Sequence, residues 1–391
     1  MNSRPLAIIF LTIFIDLLGF GVVIPILPTL VVHDLSQPEF VVGIVGSLAP
    51  FMQFLFAPFW GSLSDRKGRR PVILISIVIT TIGYIAFSFI TSIYILIISR
   101  ILSGIGSGNF SAAQAYVSDI SAPEKRAKNM GLIGAAFGLG FIFGPPIGGF
   151  LKENWGVEAI GYFTAALCVI NFVFAYLFLP ESNRNKQTVK HSLNIVFQQI
   201  KIALNNKIIR FIFIINALFI AAFSMMQIAS PLLWKQQYDY DDKEIGYIFG
   251  FIGLCSVLVQ AGLIGFFVKK IGEKKMIVLG ALLMAIGLFS MPLVPSHLFI
   301  PLELLAIMTI ALSNGLIMPA ANALVSKNAP VDKQGTVLGA MQSVGSLART
   351  IGPLLSGFLY MFFYQAPYMI GAFLMLICLF LGFKLFKNIK E

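Results

Sequence analysis

Charge is what this sequence has least of. Only 12% of its 391 residues are Asp, Glu, Lys or Arg, while 58% are hydrophobic and the mean hydropathy is +0.88. That leaves too little polar surface to cover a water-soluble globule. Cysteine is scarce too. Cys168, Cys255 and Cys378 each lie in an apolar run, with no CxxC or Cys/His spacing, which argues against disulfides and metal sites. The three histidines, His33, His191 and His297, are scattered and form no ligand cluster. No GxxxxGK[ST] occurs, which removes ATP-driven pumping, and no nucleophile with a base partner stands out for enzymatic work. Gly104 to Gly108, "GIGSG", follows no strand and lies inside an apolar run, so it reads as helix packing and not as a dinucleotide loop.

What is present is a succession of apolar runs of about 20 residues, such as "PVILISIVITTIGYIAFSFI". Backbone amides in hydrocarbon must be satisfied internally, so spans are helices or a closed barrel. Continuous runs without short alternation select helices. Twelve spans are expected, at about 6–31, 40–63, 71–90, 92–119, 129–152, 158–180, 209–234, 244–268, 275–294, 298–324, 334–362 and 366–387. The net charge of +11 then reads as an orientation device and not as a nucleic-acid footprint. Of 28 Lys and Arg, 23 fall on one side, Lys152, Lys235 and Lys243 on the other, and Arg100 and Arg349 inside spans. Both termini are therefore expected on the cytoplasmic side of the cytoplasmic (inner) membrane. The first run is long enough to span and carries Asp16, so it reads as a retained helix and not as a cleaved signal.

Residues 181–208 form the only long polar segment and divide the spans six and six, giving bundles over 1–180 and 209–391. The halves repeat. Gly61 and Gly68 match Gly265 and Gly272 at an offset of 204, Pro123 matches Pro330 at 207, and both Ser118/Ser326 and Gly144-Pro145/Gly352-Pro353 match at 208. Chance similarity would not hold offsets of 204 to 208 in order along the chain. Two bundles of one topology place a substrate site near the bilayer midplane, exposed alternately as the halves rock.

"GSLSDRKGRR", residues 61–70, resembles the signature between spans 2 and 3 of the major facilitator superfamily. "GLIGAAFGLGFIFGPPIGG", with Gly131, Gly140, Gly144, Pro145, Gly148 and Gly149, resembles that superfamily's span 5 antiporter signature. "DLLGFGVVIPILP", "MQFLFAPFWGSLSDRKGRRPV", "GLCSVLVQ" and "GEKKMIVLG" are similar to the tetracycline-efflux (TetA-type) group of drug:proton antiporters, over nearly the full length. Where that group carries a His in span 8 this chain has Cys255, and its span 9 acid falls at or beside Met284, so tetracycline itself is not implied. The resemblance implies a twelve-helix all-α fold in two six-helix bundles. It makes Gln53 a drug-contacting position and Arg100, in "RILSGIGSG", part of a proton relay. It makes the 61–70 loop a charge latch that holds the outward-facing state closed on the cytoplasmic side.

The residues also carry readings of their own. Charges in the 61–70 loop cannot enter hydrocarbon, so topology alone accounts for most of them. Asp65 among four cations is not what topology needs. It ends span 2, where it could cap a neighbouring helix N-terminus, while Arg66, Arg69 and Arg70 can pair with Asp119 and Glu124. Gly61 and Gly68 complete this gating set. Lys269 replaces Asp65 in the second half, so a one-sided latch is expected. Small residues at 140–149 suit close helix packing and a dry seam that resists proton leak.

Asp16 lies about ten residues into span 1, roughly 15 Å from its start. It is the proton-carrier candidate, since an unpaired charge at that depth costs several kcal/mol. Arg349 is an intramembrane cation suited to an anionic or carboxylate-bearing substrate, or alternatively to an internal ion pair, for instance with Glu303. Asn109, Gln114, Gln227, Asn314 and Asn322 are candidate cavity residues, although such side chains also bond between helices. The 37 Phe and 14 Met suit an adaptable apolar site. Together these features point to a proton-coupled exporter of amphipathic small molecules, a multidrug-efflux and antibiotic-resistance type of function. It would work as a monomer in the lipid bilayer, with no cofactor and no nucleic acid. A transporter of one metabolite or siderophore stays open, as does a non-transporting receptor or scaffold.

Overall fold

The computed structural model describes residues 4–121, 123–183, 204–259, 264–295, 298–329 and 334–388. Most of the 181–208 segment and the side chain of Glu124 lie outside the described residues. Every described element is helical: α1 (Arg4–Val23), α2 (Glu39–Lys67), α3 (Arg69–Phe87), α4 (Ile93–Ser107), α5 (Phe110–Ile120), α6 (Pro123–Phe178), α7 (Lys207–Tyr238), α8 (Asp242–Leu258), α9 (Ile264–Ser290), α10 (Phe299–Asn328), α11 (Gln334–Tyr360) and α12 (Ala366–Asn388). Short helical turns follow α1 at Leu27–Thr29 and Leu30–Asp34.

Nine stretches among the described residues are long and apolar enough to cross a membrane. One of them, Gly138–Phe178, has 41 residues. At 1.5 Å per residue that is about twice the thickness of a bilayer's hydrocarbon core. It is broken at Gly156, whose φ of 80° no α-helix accommodates, so α6 holds expected spans 5 and 6. With α8 and the more polar α11, the twelve expected spans are accounted for.

Two expected spans end or break earlier than their apolar runs. Span 1 was expected to reach residue 31, but α1 stops at Val23, just before Pro25 and Pro28, which lack the N–H that a helix interior requires. Span 4 divides into α4 and α5 at Gly108-Asn109, where the Asn109 N–H bonds Gly106 O at 3.2 Å in a tighter turn.

The chain forms two compact units. The first comprises Met1–Ser36, Leu48–Leu193 and Asp241–Gly250, and the second Gln37–Ser47, Asn194–Tyr240 and Phe251–Glu391. In the first, α1 packs along α6, and α3 along α4 and α6. In the second, α9 packs on α10 and α12, and α7 on α11 and α12.

Candidate functional site

Three groups of side chains in the first unit carry chemistry. The first surrounds Asp16. The break between α4 and α5 exposes backbone that a continuous helix would satisfy, and two polar residues converge on it. Gln53 Nε2 donates to Ser107 O at 3.2 Å, and Asn109 Nδ2 donates to Ser76 Oγ at 2.6 Å. Asn109 is 3% exposed, and its side chain lies near the partly buried Asp16. Arg100, 4% exposed, places its guanidinium carbon 5.7 Å from the Tyr84 ring centroid and 5.0 Å from that of Phe87. Its Nη2 donates to Ser99 Oγ at 3.2 Å, whereas its buried Nε has no partner among the described residues. No ion pair joins Asp16 to Arg100 among the described residues. Tyr84 stands in electrostatic reach of both, and its hydroxyl is packed against Gly19, one turn along α1 from Asp16.

The second group is the 61–70 loop. Gly68, at φ 109°, makes the turn between α2 and α3, and a side chain there would run into Glu181. Arg69 Nη1 bonds Asp65 Oδ1 at 2.5 Å and Arg69 Nε bonds Asp119 Oδ2 at 3.1 Å. Arg70 Nη2 donates to Tyr176 O at 2.6 Å, and Arg66 is exposed. A Cβ added at Gly61 would fall 3.6 Å from Ser111 Oγ. The acid that accepts backbone N–H groups at the start of α3 is Glu181, from Arg69 N at 2.8 Å and Arg70 N at 3.2 Å. Asp65 instead takes the Arg69 guanidinium.

The second unit repeats this arrangement with its polarity reversed. Lys327 Nζ bonds Glu273 Oε1, and these residues occupy the repeat positions of Asp119 and Arg69. Gly272, at φ 75°, repeats the turn of Gly68. Lys269 takes the place of Asp65 in the second unit, which nevertheless carries an ion pair of its own between Lys327 and Glu273.

The third group is the glycine seam of α6. An added Cβ at Gly140, Gly144 or Gly148 would strike the backbone of α1 at Leu17, Gly21 and Val22 respectively. Such spacing brings two backbones together along two turns. The adjacent face, Pro145 with Gly149, meets the start of α8. A Cβ on Gly246 would fall 2.6 Å from Pro145 O and 3.3 Å from Gly149 Cα. In the second unit the same packing recurs, since a Cβ on Gly43 would fall 2.5 Å from Pro353 O and 3.1 Å from Gly357 Cα. Gly131 lies near the start of α6.

The remaining polar candidates are dispersed. Among the described residues, Gln227, 6% exposed, has Nε2 unpartnered, and Asn216 Oδ1, about three turns earlier in α7, is likewise unpartnered. Gln114 and Asn314 are partly buried and Asn322 is exposed. Arg349 makes one long contact, Nη2 to Ser346 Oγ at 3.5 Å, and no acid pairs with it among the described residues. Glu303 is held elsewhere: Trp234 Nε1 donates to its Oε1 at 2.7 Å.

One cluster had no signal in the sequence beyond its charges. Lys152 Nζ bridges Asp34 Oδ2 at 2.8 Å and Asp242 Oδ2 at 2.9 Å, and Thr29 Oγ1 donates to Asp242 Oδ1 at 2.5 Å. These residues lie at the end of the first apolar run, in the middle of α6 and at the start of α8, positions that spacing alone does not bring together.

The model of the Major Facilitator Superfamily matches residues 9–353 and 261–391. The chain belongs to this superfamily. It is 30% identical over 397 residues to the class C tetracycline resistance protein of Escherichia coli, covering 97% of this chain and 96% of that one. It is also 30% identical over 372 residues to multidrug resistance protein 2 of Bacillus subtilis (strain 168), covering 93% and 91%. Among solved structures, the human organic anion transporter MFSD10 (TETRAN) superposes with a TM-score of 0.74 at 25% identity, covering 97% of this chain and 99% of that chain. The resemblance to the tetracycline-efflux group thus rests on nearly the whole length, and the protein is a multi-pass transporter of the superfamily.

Proposed function

We propose that this protein is a proton-coupled antiporter that exports amphipathic small molecules from the cytoplasm by alternating access, with both termini cytoplasmic and Asp16 as proton carrier. The observation that carries the reading is the setting of Asp16. It is a carboxyl inside a membrane-spanning helix, paired with no cation among the described residues and near the amide of Asn109 at a helix break. Proton loading neutralises the carboxyl and weakens its hold on Asn109. Release restores a charge that the bilayer disfavours. Arg100 and Tyr84 form the aromatic-capped cation beside it and set the field in which the proton is held. The 30% identity to tetracycline and multidrug resistance proteins supports export.

Arg349 favours anionic compounds within that substrate range. It is a cation in α11 without an acidic partner among the described residues, close to the unpartnered Asn216 of α7. The guanidinium fork matches carboxylate geometry.

The test uses purified protein in liposomes with an imposed pH gradient and a panel of cationic, neutral and anionic compounds. Proton release coupled to several compounds, strongest for anions, is expected. Response to one compound alone would favour a dedicated metabolite or siderophore carrier, and no flux from folded protein would favour a receptor or scaffold.

A further inference from the structure

A second carboxyl is buried in the membrane-spanning part of the protein, in the other unit. Glu303, in the first turns of α10, is 0% exposed. Its Oε1 accepts the indole N–H of Trp234 from α7 at 2.7 Å, and Trp234 is itself fully buried. Among the described residues its buried Oε2 has no hydrogen-bond partner. The titratable groups facing it are phenols, Tyr238 from α7 and Tyr368 from α12. Their hydroxyls point elsewhere, Tyr238 to Val294 O at 2.7 Å and Tyr368 to Ser230 Oγ at 3.1 Å. No lysine, arginine or histidine pairs with Glu303 among the described residues, and Arg349 does not.

A buried carboxylate that lacks both a cation and a partner for one oxygen is a costly ion, since its removal from water is uncompensated. A structural ion pair would have supplied the cation, and a structural hydrogen-bond network would have satisfied Oε2. The neutral acid fits both observations. One indole N–H serves the carbonyl-like Oε1, and a neutral acid would carry its proton on Oε2, where no other donor competes.

We propose that Glu303, positioned by Trp234, is a second proton-binding site, separate from Asp16 and housed in the second unit. Loading adds a proton to Oε2 and gives the neutral acid. Release returns that proton to water and leaves a carboxylate that keeps only the Trp234 bond. Trp234 is a positioning residue: it fixes which oxygen stays free. The inference deepens the antiport reading by adding a second carrier, yet proton binding at Glu303 stands whether or not Asp16 carries protons.

The experiment is an infrared difference titration of the full-length protein in lipid, between acidic and alkaline pH, without substrate. The signal is the carbonyl stretch of protonated carboxyls. Glu303→Gln removes a band that Asp16→Asn leaves in place, and Trp234→Phe shifts that same band without removing it. With substrate present, Glu303→Gln lowers the protons moved per substrate by about half, from two carriers to one. Identical difference spectra for wild type and Glu303→Gln, or an unmoved band in Trp234→Phe, would overturn the site. Should Glu303→Gln fail to fold, the Trp234→Phe shift alone decides. Should Asp16→Asn remove no band while Glu303→Gln removes one, the carrier role of Asp16 fails and this site stands.

Discussion

Glu273 and Lys327 pair at the repeat positions of Arg69 and Asp119, with the signs exchanged. Repeating the contact while inverting its charges means that the geometry of the two turns, at Gly68 and Gly272, is what the halves share. Each pair then ties a loop to the end of the fourth helical segment of its half, through ion pairs that need only be opposite in sign.

Arg69 is therefore expected to matter for gating more than for folding. Its partners are part-exposed, and pairs of that kind contribute about 0–1 kcal/mol. Arg69→Glu should lower transport strongly and leave thermal unfolding nearly unchanged. Arg69→Glu combined with Asp119→Arg should restore part of the transport, since the second half already uses that polarity.

Lys152 holds two acids, and its side chain is 8% exposed, as is that of Asp242. Lys152→Met leaves Asp242 buried beside Asp34 without a cation, at a cost of about 3 kcal/mol. Thermal unfolding of the purified protein should show that loss, and adding Asp242→Asn should recover part of it.

Gly144 touches the backbone of α1 at Gly21. Even Gly144→Ala forces the two helices apart, and the expected destabilisation is about 1–3 kcal/mol. Gly265→Ala is the control, since a Cβ there meets nothing within 4 Å. It should unfold at the wild-type temperature.

Arg349→Gln should impair export of anionic compounds selectively, measured as initial rates in liposomes. Neutral and cationic compounds should be exported at wild-type rates. Equal loss across all three classes would assign Arg349 to structure.

Much of the fold was legible because bilayer physics leaves few choices: long apolar runs must be helices, and the repeat offset reveals two halves. The glycines at 140, 144 and 148 were legible as a seam because their spacing of four keeps them on one helix face. What spacing could not supply was the third dimension. The helix break that brings Asn109 near Asp16 is a local event inside a continuous apolar run, and the run does not show it. Glu181, distant in sequence from α3, takes the capping position that Asp65 seemed placed to fill. Lys152, Asp34 and Asp242 are 90 to 208 residues apart in pairs that matter only once the chain is folded. Glu303 read as a possible partner for Arg349 until its bond to Trp234 was visible.

The central claim is that Asp16 carries the proton exchanged for substrate. It is tested most directly by adding substrate to unbuffered, purified protein and recording protons released. Wild-type protein should release protons on binding, and Asp16→Asn should bind the same compound while releasing fewer. Undiminished release from Asp16→Asn would contradict the claim.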